Sequence, residues 1–162
     1  MTLRPRAGYC LAVVYRAKGL GIAVMRGSEI VEVLRHRLTK EQRLSSSILE
    51  RIKKTSTDYS VKTLVVEPNS PVHMAVRRSR RWKIILLDIP EAKRYFLPAN
   101  TSQANRRLYQ FLVDRHPKLR RMITILPRSG QVAVCNDRRR IVPLLAVALG
   151  LTAQRHTGSL SS

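Results

Sequence analysis

Ten Asp and Glu face thirty-one Lys and Arg in this chain of 162 residues, so any carboxylate placed where chemistry could happen stands out. Glu29 and Glu32 flank an expected hairpin, Glu41 and Glu50 fall on a solvated helix face, and Asp58 sits in a polar link. Surface acids and caps account for all five. Asp114 closes a helix among arginines, while Asp88 and Glu91 bracket a strand end and a Pro turn. Glu67 is different. In "KTLVVEPNS" it ends the apolar run Leu64, Val65, Val66 and precedes Pro68 and a turn, which sets it at the C-terminal edge of a central strand, where α/β sheets build their sites. Asp137, in "CNDRRRIVPLLAVALGL", reads first as an N-cap or a partner for Arg138 to Arg140, and otherwise as a second carboxylate for Glu67.

Other chemistries find little support. Cys10 and Cys135 are too few for a disulfide framework, and neither has a Cys or His at zinc-ligand spacing. The four histidines are scattered, and no Ser-His-Asp or Cys-His set can be read. "KGLG" and "RGS" precede no helix, so neither is a phosphate-binding loop.

A net charge of +21 and a pI near 11.5 predict a polyanionic partner, nucleic acid first; an anionic membrane surface or an RNA-rich assembly is the alternative. The basic residues cluster: Arg77, Arg78, Arg80 and Arg81 beside Trp82; Lys93 and Arg94; Arg106 and Arg107; Arg115, Lys118, Arg120 and Arg121; Arg138, Arg139 and Arg140. Arginine suits bidentate contacts with phosphate, and on a helix over 71–81 Arg77 and Arg81 would share a face. Aromatics make up only 5%. Trp82, Phe96 and Tyr109 read as core residues before they read as a stacking surface for single strands. No sequence specificity is indicated.

These residues need a scaffold, and the 44% apolar fraction is enough for one core. Tyr9 to Tyr15, Leu20 to Met25 and "EIVEVLRHRL" predict three antiparallel strands, with "RGS" as a turn. Thr39 and Gln42 resemble a capping box, and Leu44, Ile48, Leu49 and Ile52 recur at helical spacing to about Lys54. A polar link "TSTDYS" follows, then the strand Thr63 to Val66, then a helix over 71–81 opened by "NSP". "WKIILLDIP" reads as a strand buried on both faces. Thr101 to Asp114 fits a helix with Leu108, Phe111 and Leu112 inward, and a last helix runs from about 140 to 154. A single domain over 1–156 with a flexible tail over 157–162 is expected. The longest apolar stretch, "IVPLLAVALGLTA", is about a dozen residues where a membrane span needs roughly twenty. "LRPRAGYCLAVVY" reads as a strand, because Arg16 and Lys18 cut it short and no small-residue cleavage site follows. A cytoplasmic, nucleoid-associated protein is expected.

Over residues 8–154 the sequence resembles the RuvC-like Holliday-junction resolvases of the RNase H-like superfamily. The resemblance rests on the three-strand opening, on "LVVEPNS" ending strand four with its acid, on "KIILLDIPEAKRYF" as the fifth strand and following "P…K" turn, and on "LLAVALGL" as the Ala-rich terminal helix. It implies an α/β RNase H-like fold, a five-stranded mixed sheet of three antiparallel strands plus parallel strands, flanked by helices. In that family, carboxylates from strand one, strand four and the last helix hold two divalent metals, and a metal pair about 4 Å apart clamps the attacking and leaving oxygens of a phosphodiester. Glu67 matches the strand-four ligand and Asp137 the helix ligand, with Asp88 as an atypical third, binding Mg²⁺ or Mn²⁺ if the site is active. Homodimers and a role in recombination are implied as well.

The sequence departs from the pattern at strand one, where the family has an acid. "LAVVYRAKGLGIAV" has Tyr15 and Arg16 there, and no acid occurs before Glu29. Glu67 then has three readings: a relic, the partner of a buried Arg, or one ligand of a weakened site. Three functions follow. The first is a binder of branched or duplex DNA with a degraded nuclease centre. The others are an active metal-dependent structure-selective endonuclease and a structural RNA-binding or ribosome-associated protein.

Overall fold

The computed structural model describes residues 8–16, 19–98, 102, 104–119 and 138–160, with side chains of the last helix over 143–154. Its centre is one five-stranded sheet in the order β3-β2-β1-β4-β5, formed by β1 (Tyr9–Arg16), β2 (Gly19–Arg26), β3 (Glu29–Arg37), β4 (Val61–Val66) and β5 (Lys83–Leu86). β1, β2 and β3 pair antiparallel, while β4 lies parallel to β1 and β5 parallel to β4. This is the mixed sheet expected from the sequence.

Helices cover both faces, as the strand pattern requires. Leu11 and Val13 of β1, Leu20, Ile22 and Val24 of β2, and Leu64 and Val66 of β4 face one layer, α1 (Ser45–Tyr59) and α2 (Pro71–Val76), through Ile48, Ile52, Val72 and Val76. Cys10, Ala12, Val14, Ala23, Met25 and Val65 face the other, built from α3 (Ile89–Phe96), α4 (Ala104–Arg115) and α5 (Arg138–Leu160). The alternation follows from the two-residue period of a strand. Burial of both faces explains why β1 and β2 through their centres, and β4 over Leu64 to Val66, are continuously apolar.

Several expectations give way to local chemistry. α1 runs through "TSTDYS" to Tyr59, because Thr55 and Thr57 satisfy their hydroxyls on the carbonyls of Arg51 and Lys53 (3.1 and 2.8 Å) and Ser60 closes the helix in a left-handed conformation (φ 54°). Gln42 does reach back to the Thr39 amide (2.9 Å), but it opens a short 3₁₀ turn, Glu41–Arg43, ahead of α1. α2 stops at Val76, not Arg81. The Ser79 amide turns back to the Val76 carbonyl (2.9 Å), the Ser79 hydroxyl takes the Arg81 amide (3.2 Å), and in a helix Arg77, Arg78, Arg80 and Arg81 would make like-charge pairs at three- and four-residue spacing. β5 is an edge strand, exposed at Lys83 and Leu86 (48%) and half-buried at Ile84 and Ile85 between them; it does not lie buried on both faces. The segment after it, read as a turn, is the helix α3. Trp82 packs inside and donates to the Ser56 hydroxyl (2.8 Å), and Leu108 and Leu112 point inward as expected, with Phe111 partly buried.

α5 begins at Arg138 and continues through Thr157 to Leu160, where a tail was expected. Pro143 sits in its second turn, just beyond the first-turn positions that tolerate proline best. Gly150 lets the helix touch the sheet: a Cβ there would lie 2.3 Å from Met25 Sδ and 3.4 Å from Ala12 Cβ. The Cys10 thiol, raised to about 11 by burial, bonds Gln154. From these anchors the helix runs antiparallel to β1, so its first turns head for the end of the sheet that carries Arg16. No described helix is long and apolar enough to cross a membrane. The segment 120–137, with Arg120, Arg121, Cys135 and Asp137, lies outside the described residues, as do the side chains of Arg138, Arg139 and Arg140.

The Gly150 contact makes a direct prediction. Gly150→Val should destabilise the fold by about 1–3 kcal/mol through overpacking, and Met25→Ala in the same chain should recover part of that loss. Thermal denaturation of the two single variants and the double variant checks this; strict additivity would contradict the contact.

Candidate functional site

The ends of β1 and β4 lie side by side because the two strands are parallel neighbours. Val13 pairs with Val66, so the next residues in register are Val14 and Glu67. Glu67 shares the sheet face of Val65, and Arg16 that of Val14, the face covered by α5. An arginine two residues beyond Val14 can therefore fold back onto the carboxylate, and it does. Arg16 Nη2 donates to Glu67 Oε2 at 2.8 Å, and Arg16 Nη1 lies 2.7 Å from Glu67 Oε1. The Nη1 contact is ionic, off the hydrogen-bond line, and Oε1 is buried with no other donor. Nη1 also donates to the Tyr15 carbonyl (2.9 Å). The side chains are 45% and 12% exposed respectively, so the carboxylate is inside and the guanidinium forms its lid.

The turn after Glu67 is held from its own backbone. Ser70 donates to the Glu67 carbonyl (2.8 Å) and accepts from the His73 amide (3.1 Å) as the cap of α2, and the Asn69 amide donates to His73 Nδ1 (3.0 Å). Asn69 adopts φ 59°, a left-handed conformation that Asn tolerates better than most residues. The "EPNS" run thus fixes where the Glu67 side chain leaves the sheet.

Two further cations lie toward this end of the sheet. The Leu87 amide donates to the Val66 carbonyl (3.1 Å), which starts α3 from the same end of the sheet, and Lys93 lies one turn into that helix, half-buried. Burial lowers the Lys93 ammonium from its usual range, and Arg16 lowers it further. On the other side, Arg35 of β3 is opposite Gly21, and Gly21 is opposite Val14. The Arg35 guanidinium lies over the bare backbone of Gly19, with Nη2 3.7 Å from where a Cβ would stand. The ion pair therefore has a second cation, Lys93, beside Arg16.

The other sequence candidates separate. Asp88 is exposed and caps α3, accepting the Glu91 amide at 2.7 Å. Arg77, Arg78, Arg80 and Arg81 are exposed where the chain enters β5, at the end of the sheet opposite Glu67, and Arg106 and Arg107 are exposed in the first turn of α4. Asp137 lies outside the described residues. Among the described residues no three His, Cys, Asp or Glu gather in a way that could hold a metal ion, and a cation binding Glu67 Oε1 would have to displace Arg16. These residues do not fit a pair of divalent metals. Arg16 was visible in the sequence as an intruder at the strand-one acid's place, and Lys93 as part of a basic pair. Arg35 was missed, although its parity with Val33 on an expected strand could have put it on this face.

No family model matches the sequence, and no curated protein resembles it. Among solved structures, the chain is similar to Thermus thermophilus RuvC in complex with a Holliday junction substrate, at TM-score 0.56 and 10% identity, over 93% of this chain and 96% of that one. It is also similar to a second Thermus thermophilus RuvC structure, at TM-score 0.52 and 12% identity over the same shares. The fold is RuvC-like and RNase H-like.

The pair should couple measurably. In a double-mutant cycle of Arg16→Gln and Glu67→Gln, we expect an interaction of about 1 kcal/mol, the upper range for a part-exposed pair. Chemical denaturation of the four proteins checks it, and zero coupling would mean that the two side chains do not meet in solution.

Proposed function

We propose that this protein binds branched or duplex DNA through backbone charge, and that its nuclease centre is degraded. The observation that carries this reading is the Arg16–Glu67 pair: a fixed guanidinium lies on the one carboxylate that matches the resolvase pattern, at the strand end where the pattern has another acid. Two-metal cleavage needs several anionic ligands to offset the metal charge, and here the neighbours of Glu67 are Arg16 and Lys93. Support for DNA as the partner comes from the net charge of +21 and from the likeness to a RuvC structure that holds a Holliday junction. A homodimer, a place in recombination and a nucleoid location belong to this reading.

One feature favours an active Mg²⁺- or Mn²⁺-dependent endonuclease instead. Glu67 Oε1 is held only by the ionic contact with Arg16 Nη1, without a hydrogen bond, so a metal ion would compete for it with the guanidinium alone; Asp137 and Asp88 would be its companions. The two readings part on cleavage. Incubated with a four-way DNA junction, a matched duplex and a folded RNA, in Mg²⁺, Mn²⁺ or EDTA, the protein should bind the DNAs equally well in EDTA and cut nothing. Metal-dependent cutting that disappears in Glu67→Gln would establish the nuclease. A preference for folded RNA, indifferent to Glu67, would make it an RNA-binding protein.

A further inference from the structure

We infer that Arg16 itself is a phosphate anchor: with Lys93 it forms a notch at the end of β1 that takes a backbone phosphate of nucleic acid directly, and Glu67 acts as the positioning residue that aims the guanidinium. The inference rests on the DNA-binding reading above and deepens it.

Geometry argues for it first. Glu67 and the Tyr15 carbonyl take two of the five guanidinium N–H groups, and the side chain remains 45% exposed. The group is thus held in place by its own neighbours while nearly half of the side chain stays open to solvent. A surface arginine normally loses rotamer freedom on meeting a phosphate; this one has already lost it. Charge argues the same way. Arg16 and Lys93 bring two positive charges to one carboxylate, and Lys93 is pushed down partly by Arg16, so a bound monoanion would relieve a repulsion that the folded chain carries. A divalent metal would be repelled by this set, whereas a phosphate diester meets it with the right sign and planar, forked donors.

The test is salt-dependent binding to a duplex and to a four-way junction, measured by fluorescence anisotropy in EDTA with the full chain. Arg16→Ala alone would strand a buried carboxylate, so the working variant is Arg16→Gln with Glu67→Gln, which keeps neutral hydrogen-bonding groups at both places; circular dichroism and thermal denaturation confirm that it folds. Lys62→Gln, at the opposite end of β4, removes a positive charge away from the notch and serves as the reference. We expect the double variant to bind several-fold more weakly than wild type, with the slope of log K against log salt shallower by about 0.9, one phosphate contact on duplex DNA. Lys62→Gln should change the slope much less. Wild-type affinity and slope in the folded double variant would overturn the phosphate anchor and leave DNA binding standing. Absence of DNA binding by the wild-type protein would overturn both.

Discussion

A carboxylate gripped by a guanidinium through both oxygens is in effect neutral to its surroundings, and it is also blocked. The Arg16–Glu67 pair imposes this condition at the strand ends where RuvC-like folds would place their chemistry. Glu67 is nearly buried, so it needs a cation to offset its lost hydration. In a two-metal site that cation would be inorganic. Here the chain supplies its own, from the adjacent strand, and the consequence is a site whose outer surface is positive.

The fold delivers this arrangement through parity and pairing alone. Parallel alignment of β1 with β4 sets their ends together, alternation sends Arg16 and Glu67 to the same face, and the "EPNS" turn pins the acid from its own backbone. Gly150 seats α5 on β1 and β2, and the direction of that helix brings its Arg138 end toward the same place. Elsewhere the molecule obeys ordinary rules. His36, for instance, sits in a groove between β3 and α1 with Nδ1 3.1 Å from Arg51, and its lowered basicity follows from burial, then from Arg51 and Lys54.

Much of the fold was legible in the sequence because its periods are clean. Apolar runs announced β1, β2 and the end of β4 as strands, although burial on both faces was read for β5, the edge strand, and the resemblance to RuvC-like resolvases implied the five-stranded mixed sheet. What escaped depended on side-chain hydrogen bonds too local to show as periodicity. Thr55 and Thr57 extend α1 by bonding its own carbonyls, and Ser79 helps end α2, which detached Arg77 to Arg81 from the helix face they were expected to share. Asp88 could have been recognised: Asp-Ile-Pro-Glu is a cap followed by a first-turn proline, and its oxygen is engaged with the Glu91 amide. At the site, Glu67 and the intruding Arg16 were both visible, and a partner arginine was among the readings of Glu67. Their meeting was not, since it depends on the register of β1 against β4, which composition and spacing do not fix.

Arg16 takes the place of a cation on Glu67. Titration of the protein with Mn²⁺, followed by electron paramagnetic resonance of the free ion, tests it without DNA or catalysis. The account predicts no saturable binding that depends on Glu67, so wild type and Glu67→Gln should deplete the free-ion signal alike. Saturable uptake by the wild type that vanishes in Glu67→Gln would show that the metal displaces the guanidinium, and would contradict the account.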